Sequence, residues 1–315
     1  MTSQATSGTI IVTGGRGFIG RVLCRHLAER GLTVCGVGHG DVPAGDLERS
    51  GLKCWRQGEV DFANLDDIAG AHGPIAGVVH LAGGATVGGS LRAPLEDFNR
   101  TCKTSAQLLD WIRQRSPATA ALVVSSAAVY GAGYPDPIRE DMATTPGSPY
   151  GTHKLVMEML CRSYASNFGV RAVLMRLFSV YGEGLRKQLL WDLCTSLAVR
   201  GSARLGGTGR EVRDWIHVAD AAELIRLALP VASVDCPTIN GGTGRRTSVA
   251  SIAAEVADYW GGGTGIEFTG ERRAGDPPAL VADVSRASDL GFEARIELRD
   301  GLRRYVDWFR GVRSP

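Results

Sequence analysis

The fold is decided by a glycine-rich stretch near the start of the chain, which reads Ile11-Val12-Thr13-Gly14-Gly15-Arg16-Gly17-Phe18-Ile19-Gly20. A short apolar run precedes the glycines, and a stretch with helical periodicity follows them. Gly14 and Gly17 allow backbone N–H groups to approach a pyrophosphate at the helix N-terminus, while Gly20 allows the helix to pack closely on the sheet. The spacing therefore predicts a dinucleotide-binding turn that contacts its cofactor through Gly14, Arg16, Gly17, Phe18, Ile19 and Gly20.

Short apolar or β-branched runs alternate with helical stretches over the first part of the chain. The predicted strands are residues 9–13, 33–37, 77–81, 121–125 and 171–176, and the predicted helices are residues 18–30, 95–115 and 150–168. This alternation is typical of an α/β fold with a doubly wound, Rossmann-like parallel sheet. After about residue 180 the pattern loosens, which predicts a smaller C-terminal α/β substrate lobe. We expect residues 1–178 to form the dinucleotide-binding domain, with a return segment near 213–235, and residues 179–315 to form mainly the lobe.

Composition narrows the choice of partners. The 315 residues carry a formal net charge of +2 and are 22% charged, so no global field directs the chain to nucleic acid or to a membrane. No apolar run reaches the roughly 18 residues of a membrane span, and the start resembles no secretory signal, which predicts a cytoplasmic protein. The seven cysteines show neither CxxC spacing nor a Cys/His cluster in the sequence, so we expect reduced, buried thiols and no metal site.

Tyr150 and Lys154 form a candidate proton-transfer pair. Their four-residue spacing places both side chains on one face of a helix. An unperturbed phenol has a pKa of about 10, and a fixed ammonium beside it favours the phenolate. Ser126 directly follows the predicted strand 121–125, at the carboxyl edge of the sheet, where ligands of such sheets bind. Tyr150 and Lys154 are therefore candidates for catalysis, and Ser126 supplies a hydroxyl at the edge where a ligand would bind.

The end of the second predicted strand bears on the choice of cofactor. It reads Val37-Gly38-His39-Gly40, and no carboxylate stands where NAD-binding chains hold the ribose 2′-hydroxyl. Arg16 and His39 could instead face a 2′-phosphate, although Arg16 could equally be a solvated turn residue. Further along the chain, in Glu59-Val60-Asp61, Glu59 could accept a hydrogen bond from the adenine amino group or simply face solvent. The sequence favours NADP slightly over NAD.

With these motifs in hand, the chain resembles the extended short-chain dehydrogenase/reductases, in particular their nucleotide-sugar epimerase, dehydratase and reductase group. The resemblance implies that Ser126 orients the substrate, that Tyr150 acts as acid and base, and that Lys154 binds the cofactor ribose and lowers the pKa of Tyr150. It also implies cofactor contacts at the end of the predicted strand 77–81 and in the helix that follows, namely Leu81, Ala82, Gly83 and Asn99. For Asn99, ordinary helix packing is the alternative.

The resemblance further implies a nucleotide-diphosphate sugar as substrate, bound in the second lobe. Arg213, in Val212-Arg213-Asp214-Trp215, and Arg273, in Arg272-Arg273-Ala274-Gly275-Asp276, match the diphosphate-binding arginines of the family. Their planar forks suit phosphate oxygens. Further substrate contacts are expected downstream of the predicted strand 171–176, from Ser179, Arg186, Lys187 and Leu205. Ser179 replaces an asparagine of many relatives, and the loop with Arg186 and Lys187 departs from the hexose-epimerase pattern.

Four functions are compatible with this resemblance. The first is a 4-epimerase that oxidises C4 of an NDP-hexose, with a UDP-hexose preferred, and returns the hydride to the other face. The second is an NADPH-dependent 4-ketoreductase, which Gly38 and the altered loop favour. A 4,6-dehydratase is disfavoured because Ala127 and Ala128 replace the acidic pair of such relatives. A non-catalytic NADP sensor is disfavoured because Tyr150 and Lys154 are both present.

The expected protein partner is a second copy of the chain. Relatives often dimerise through two helices of the sheet domain. Here these helices correspond to residues 95–115 and 150–168, so the resemblance implies a homodimer.

Overall fold

In the computed structural model, the residues described are 8–134, 137–261, 265–271 and 277–313. The strands are β1 Thr9–Thr13, β2 Thr33–Gly38, β3 Cys54–Gln57, β4 Ile75–His80, β5 Ala120–Ser126, β6 Ala172–Leu177, β7 Ser179–Tyr181, β8 Ser202–Leu205, β9 Val212–Arg213, β10 Trp215–His217, β11 Thr238–Gly241, β12 Thr247–Ser248, β13 Gly265–Phe268 and β14 Ala279–Leu280. The α-helices are α1 Phe18–Ala28, α2 Phe62–His72, α3 Val87–Arg92, α4 Pro94–Phe98, α5 Thr104–Arg115, α6 Pro149–Phe168, α7 Gln188–Arg200, α8 Val218–Ala228, α9 Val249–Trp260, α10 Ser285–Asp289 and α11 Leu298–Arg313. Shorter 3₁₀ turns cover Ala44–Asp46, Glu48–Ser50, Ala127–Val129 and Leu229–Val231, and a π-helical turn covers Asn99–Lys103.

Seven parallel strands form the main sheet, in the order β11-β6-β5-β4-β1-β2-β3. The strand order reverses at the pair of β1 and β4, so the connections that leave these two strands run to opposite sides. Such a switch point opens a crevice at the carboxyl ends of the strands, where ligands of open α/β sheets bind. The predicted α/β class and the doubly wound parallel sheet are confirmed.

Helices cover both faces of this sheet because its central strands are apolar on both sides. Ile10 and Val12 of β1 pack in one layer with Leu23 of α1 and Ile225 of α8. Ile11 packs in the opposite layer, which α2, α5 and α6 complete. Each of these five side chains is at most 1% exposed. Burial on both faces explains why the strand reads as a continuous apolar run in the sequence.

Two features of the main domain differ from the predicted elements. Residues 95–115, predicted as one helix, fall mainly in α4, the π-helical turn and α5. A π-helical turn inserts one extra residue and so rotates the following side chains relative to a continuous α-helix. The chain also returns to the main domain late, because α8 packs on α1 and β11 pairs with β6. α8 lies within the segment 213–235 in which the sequence predicts this return, and β11 lies just beyond it.

The residues after β6 also build a smaller layer beside the sheet. β8 pairs with β13, and β9 lies between β12 and β14. Helices α7, α9 and α11 close this lobe around an apolar core that includes Leu193, Val256, Tyr305 and Phe309. Phe18, the first residue of α1, packs against the same core. The lobe therefore stands directly beside the predicted cofactor turn.

The thiols and the helices bear on two further expectations. All seven cysteines are free and buried, as the sequence predicts. Parallel pairing of β2 and β3 brings Cys35 opposite Cys54, and their ligand atoms lie with that of His72 within 4.8 Å of one another. Sequence spacing does not reveal this cluster. Among the helices in the described ranges, none combines the length and the apolar character that a membrane crossing needs.

Candidate active site

The glycine-rich turn connects β1 to α1 with almost no space for side chains. Gly14 has a φ of +68°, and its carbonyl accepts the Gly17 N–H at 2.8 Å. A Cβ at Gly20 would collide with the Gly14 carbonyl oxygen, so glycine is required for α1 to approach the turn. Gly17 caps α1 without a side-chain hydrogen bond, and the first turn contains no acidic residue. The N–H groups at the start of α1, including those of Phe18 and Ile19, therefore suit an anionic phosphate.

A chain of hydrogen bonds orders the backbone at the switch point between β1 and β4. The Thr13 hydroxyl oxygen accepts from the N–H groups of Leu81 (3.2 Å) and Ala82 (3.1 Å). Its proton is therefore donated to His80 Nδ1, 2.7 Å away, which leaves the ring proton on Nε2 for the Ser105 hydroxyl at 2.9 Å. Burial lowers the pKa of His80 to about 3, so the ring is neutral. This network fixes Leu81 and Ala82, two of the predicted cofactor contacts.

The three predicted catalytic side chains come together beside this edge of the sheet. Ser126 is the last residue of β5, and Tyr150 and Lys154 lie near the start of α6, which packs along β5. The Lys154 ammonium donates to the Val124 carbonyl at 2.8 Å. It also lies 3.3 Å from the place where a Cβ on Gly83 would stand. Lys154 therefore borders the segment in which the sequence predicts cofactor contacts.

Burial governs the protonation of this group of residues. It raises the pKa of the Tyr150 phenol, and an interaction with the Ser126 hydroxyl opposes the rise. It lowers the pKa of Lys154 to about 8, an effect that the negative charges of Asp97 and Glu158 oppose. The resemblance implies that Lys154 lowers the pKa of Tyr150, but in the structure this pKa is raised. Desolvation of the phenol dominates, and the Lys154 ammonium is directed to a backbone carbonyl. The phenol therefore needs further positive charge beside it to ionise near neutral pH.

Local contacts at the start of α6 set the position of Tyr150. The Ser148 hydroxyl caps the helix by accepting the Gly151 N–H at 3.2 Å. The Tyr150 N–H donates to the Ser90 hydroxyl at 3.0 Å. A Cβ at Gly151 would stand 2.6 Å from the Ala128 carbonyl oxygen, just after β5. Glycine at this position therefore lets Tyr150 approach the end of β5.

A buried ion pair anchors the middle of α6 to the sheet. Arg176 of β6 donates to Glu158 through Nε at 2.9 Å and through a terminal nitrogen at 2.7 Å. Ser125 donates to the same carboxylate at 2.6 Å, and the Arg176 guanidinium lies 4.7 Å from the centre of the Tyr130 ring. Glu158 and Arg176 are almost fully buried, so loss of either partner would leave an uncompensated charge. The pair holds in place the helix that carries Tyr150.

A carboxylate that sequence reasoning missed lies behind Lys154. Asp97 of α4 is 6% exposed and pairs with His153 Nδ1 at 2.6 Å. Its side chain also abuts Gly84, in the segment after β4. Among the neighbouring charges, Asp97 acts most strongly to favour the protonated form of Lys154. No local motif signals this role, because the contact between α4 and α6 joins distant parts of the chain.

The π-helical turn orients a different residue from the one predicted. Asn99 is exposed, whereas Thr101 is buried and its hydroxyl accepts the Gly84 N–H at 2.9 Å. Thr101 thus holds the segment beside Lys154. The sequence shows only that Thr101 carries a hydroxyl. Regular helical spacing does not predict that this hydroxyl is buried.

At the end of β2, an aromatic ring lies close to the position where the acid is missing. Gly38 has a φ of +149°, and the Trp55 ring stands 3.4 Å from the place of its absent Cβ. Trp55 Nε1 donates to the Gly40 carbonyl at 2.9 Å. The backbone conformation and the close indole ring therefore both favour glycine at position 38. Sequence reasoning missed this contact with Trp55.

The other residues predicted near the adenosine end lie on the surface. His39 and Glu59 approach each other at 3.4 Å between Nε2 and Oε1, with both side chains largely exposed. Arg16 is exposed, and its Nε lies 3.4 Å from the place of a Cβ on Gly40. Arg16 thus reaches the end of β2, while His39 and Glu59 face each other.

A buried carboxylate organises the predicted substrate segment in the second lobe. Asp214 is fully buried and accepts from the N–H and the hydroxyl of Thr243, each at 2.7 Å. It also accepts from the N–H groups of Gly244 at 2.8 Å and Ala282 at 3.2 Å. Burial raises its pKa, and these hydrogen bonds oppose the rise. Asp214 therefore joins β9 to two other segments of the lobe.

Arg213 and Ser179 are neighbours around this carboxylate. Arg213 is half-buried, and its guanidinium donates to the Val212 carbonyl at 2.7 Å. The Ser179 N–H donates to the Asp214 carbonyl at 2.9 Å, and β7 pairs with β10. These two predicted substrate contacts are thus brought close together across two short strands.

The structure separates the two cations of the predicted substrate loop. Lys187 Nζ donates to the Ala85 carbonyl at 3.2 Å, and burial lowers the pKa of this lysine. Arg186 lies instead over Trp191, at 5.9 Å from the ring centre, and over Trp308, at 5.8 Å. Lys187 therefore adjoins the segment after β4, while Arg186 packs over two tryptophan rings of the lobe.

Leu205 and Arg273 are the remaining two predicted substrate contacts. Leu205 is 7% exposed and packs in the apolar core of the lobe. Arg273 lies outside the described residues.

Comparisons with known proteins agree on one family. The profile described as "NAD dependent epimerase/dehydratase family" matches residues 10–240. The chain is 31% identical to a UDP-glucose 4-epimerase of Azospirillum brasilense, with 99% of this chain and 95% of the relative covered. It is 30% identical to the solved structure of MoeE5 in complex with UDP-glucose and NAD, with a TM-score of 0.86, covering 98% of this chain and 100% of the other. It is 27% identical to a UDP-glucuronic acid 4-epimerase from Bacillus cereus, solved with UDP-glucuronic acid and NAD, with a TM-score of 0.85, covering 96% and 99%.

Proposed function

This chain belongs to the NAD dependent epimerase/dehydratase family, and we propose that it is a 4-epimerase of a UDP-hexose acting by transient oxidation at C4. The observation that carries the proposal is the meeting of Ser126, Tyr150 and Lys154 beside the glycine-rich turn. A relative with nearly full coverage is a UDP-glucose 4-epimerase, and a structural neighbour binds UDP-glucose and NAD.

The turn fits a dinucleotide because its glycines leave no room for a Cβ and the α1 N-terminus is uncapped by a side chain. We assign the diphosphate to the N–H groups of Gly17, Phe18 and Ile19, and the nicotinamide side to Ala82 and Gly83. A bound NAD supplies a hydride acceptor at the sugar C4 and the hydride donor for the return step.

The residues of this chain move the proton. Tyr150 takes the proton of the C4 hydroxyl during oxidation and gives it back to the C4 oxygen after the keto sugar has turned over. Ser126 holds the same oxygen through its hydroxyl. Lys154, kept charged by Asp97, favours the phenolate together with the cationic nicotinamide ring. The position of each group depends on the Gly151 contact and on the Glu158 anchor.

The rival within the same site is an NADPH-dependent 4-ketoreductase. It is supported by the absence of an acid at the end of β2 and by Arg16, which reaches Gly40 there. The sequence slightly favours NADP, but the two solved structures described above both contain NAD. We therefore propose NAD as the resident cofactor.

We propose that the substrate diphosphate is bound by Arg213, with Arg273 as the second arginine. Arg213 is held by the hydrogen bonds that organise Asp214, and it neighbours Ser179. In this arrangement residues 1–178 bind the cofactor and residues 179–315 bind mainly the nucleotide sugar. We also assign Lys187, which is held at Ala85, to the substrate.

We also propose that the enzyme is a homodimer. Leu91 and Leu95, on α3 and at α4, are 65% and 71% exposed, and Met159 on α6 is 62% exposed. α3 and α4 both pack on α6, so these side chains extend over adjoining helices. Such exposed apolar residues suit burial against a second copy.

The experiment that tests the function uses the protein as purified. After denaturation, the released cofactor is identified enzymatically, and the intact protein is incubated with UDP-glucose, UDP-glucuronic acid and UDP-N-acetylglucosamine. We expect released NAD and interconversion of one sugar with its C4 epimer, without net redox change. Stoichiometric oxidation of added NADPH by a 4-keto nucleotide sugar, with no epimer formed, would contradict the proposal.

A further inference from the structure

The outer face of α1 lines a cleft that adjoins the glycine-rich turn but contains none of the catalytic residues. Its volume is about 380 Å³, within the range of small-molecule sites, and it lies between the main domain and the second lobe. Arg21 and Arg25 contribute from α1, Arg16 from the glycine-rich turn and Arg49 from the connection between β2 and β3. Trp308 of α11 lines the side of the lobe.

The cleft carries a strong excess of positive charge. Arg49 is paired with Asp46, and the lining carboxylate Glu183 is paired with His217 at 2.9 Å. In the described part of the chain, no carboxylate forms an ion pair with the other three arginines of the lining. In a chain whose net charge is only +2, such local concentration of one sign favours an anionic ligand.

Arg21 is repelled by the other arginines around the cleft. Its guanidinium donates to the Gly184 carbonyl at 3.2 Å, a neutral acceptor. Partial burial lowers the pKa of Arg21, and the charges of Arg25, Arg186 and Arg16 lower it further. A bound anion would relieve this repulsion, which no described carboxylate does.

One wall of the cleft is aromatic. Trp308 is half-buried, and the Arg186 guanidinium lies 5.8 Å from the centre of its ring. Val22 and Leu52 add apolar surface on the side of the main domain. Phosphate groups suit the arginines, and a planar base suits the tryptophan face.

The cleft is separate from the cofactor and substrate positions proposed above. It shares Gly15 and Arg16 with the turn, but Phe18, Tyr150 and Arg213 do not line it. We propose that this cleft binds a second diphosphate-bearing small molecule, in addition to the cofactor and the nucleotide sugar. Such a ligand would contact α1 and α11 at once and so join the main domain to the lobe.

The test is calorimetric titration of the NAD-bound protein with its sugar site saturated by UDP. Inorganic pyrophosphate and ADP are the two probes. We expect one further equivalent of probe to bind, with affinity that falls as salt is added. In the double variant Arg25→Ala/Arg49→Ala we expect at least a tenfold loss of affinity with epimerase activity unchanged. The double variant Arg200→Ala/Arg204→Ala removes two exposed arginines elsewhere and should leave binding unchanged.

The outcomes distinguish the parts of the proposal. Tighter binding of ADP than of pyrophosphate would show that Trp308 contacts the base of the ligand. Equal binding of the two probes would show that the cleft recognises the diphosphate alone. If the wild type binds no further equivalent at millimolar probe, or if the Arg25→Ala/Arg49→Ala protein binds it as tightly as the wild type, the cleft is not the site. Neither result depends on which sugar the enzyme epimerises.

Discussion

Tyr150 is held where its phenol resists ionisation until positive charge is brought beside it. Burial raises its pKa, and the Lys154 ammonium is directed to the Val124 carbonyl. The sequence could supply the identity and spacing of these two residues, because four positions make one turn of a helix. It could not supply the direction of the pKa shift, since that depends on desolvation by residues distant in the chain.

Replacement of Tyr150 by phenylalanine tests the proton-transfer role. Tyr150→Phe removes the hydroxyl and little volume, so we expect cofactor retention to persist and turnover to fall by about 10²- to 10⁴-fold. Turnover and bound cofactor are measured on the same preparation. Tyr164→Phe, on the same helix but away from Ser126, is the control and should keep its activity. Equal activity in the two variants would remove Tyr150 from the mechanism.

Lys154 should reduce the stability of the cofactor-free protein. Its pKa is lowered to about 8 by burial, whereas an unfolded lysine titrates at about 10.4, so the unfolded chain binds more protons between these values. The stability cost is therefore complete below pH 8 and disappears as pH rises toward 10.4. We expect Lys154→Met to lose activity and to gain up to about 3 kcal/mol in free energy of unfolding at pH 7. Urea unfolding checks this, and a variant less stable than wild type at pH 7 would show that the buried charge is fully compensated.

The helices near the site show which parts of the secondary structure the sequence predicts. The helical periodicity of α6 was visible in the sequence, and the predicted bounds 150–168 agree with Pro149–Phe168. The predicted helix 95–115 was less accurate, because a π-helical turn has no pattern distinct from an α-helix. That turn decides that Thr101 is buried, so the residue holding Gly84 was missed. Asp97 was missed for a similar reason, since it meets His153 only through helix packing.

The close approach of α6 to the end of β5 predicts the effect of a single methyl group. A Cβ at Gly151 would stand 2.6 Å from the Ala128 carbonyl oxygen, so Gly151→Ala must shift the helix or the strand end. We expect turnover to fall at least about tenfold, because small misplacements of catalytic groups cost this much or more. We also expect a loss of about 1–3 kcal/mol in free energy of unfolding.

Gly70→Ala is the matched control for that variant. Gly70 lies inside α2, and a Cβ there would meet no atom within 4 Å. It should leave turnover unchanged and raise the free energy of unfolding by about 0.5–1 kcal/mol. Full activity in Gly151→Ala would mean that the helix tolerates the contact and does not set the position of Tyr150.

The whole molecule follows from the alternation of strands and helices, which fixes a parallel sheet and a crevice at its switch point. The second lobe was harder to predict because its strands are two to four residues long and pair across distant segments. The segment 213–235 in which the sequence predicts the return of the chain contains α8, whereas β11 lies just beyond it. Charge clusters such as that around α1 also form only in the folded chain.

At this scale we predict that dimerisation depends on the exposed apolar residues of α4 and α6. The double variant Leu95→Lys/Met159→Lys introduces two charges at residues that are 71% and 62% exposed, so the monomer fold should persist while the dimer dissociates. Sedimentation velocity measures the result. Val199→Lys, at a residue of α7 that is 69% exposed, is the control and should stay dimeric. A double variant that sediments as the wild type would place the interface elsewhere.

The central claim is that hydride leaves the sugar C4 and returns to the same carbon within one active site. It is tested most directly with a UDP-hexose that carries deuterium at C4, incubated with the purified protein without added cofactor. The account predicts that the C4 epimer forms and that mass spectrometry and NMR find the deuterium retained at its C4. Formation of the epimer with loss of the deuterium to solvent, or no epimer while NADPH reduces a 4-keto nucleotide sugar, would contradict it.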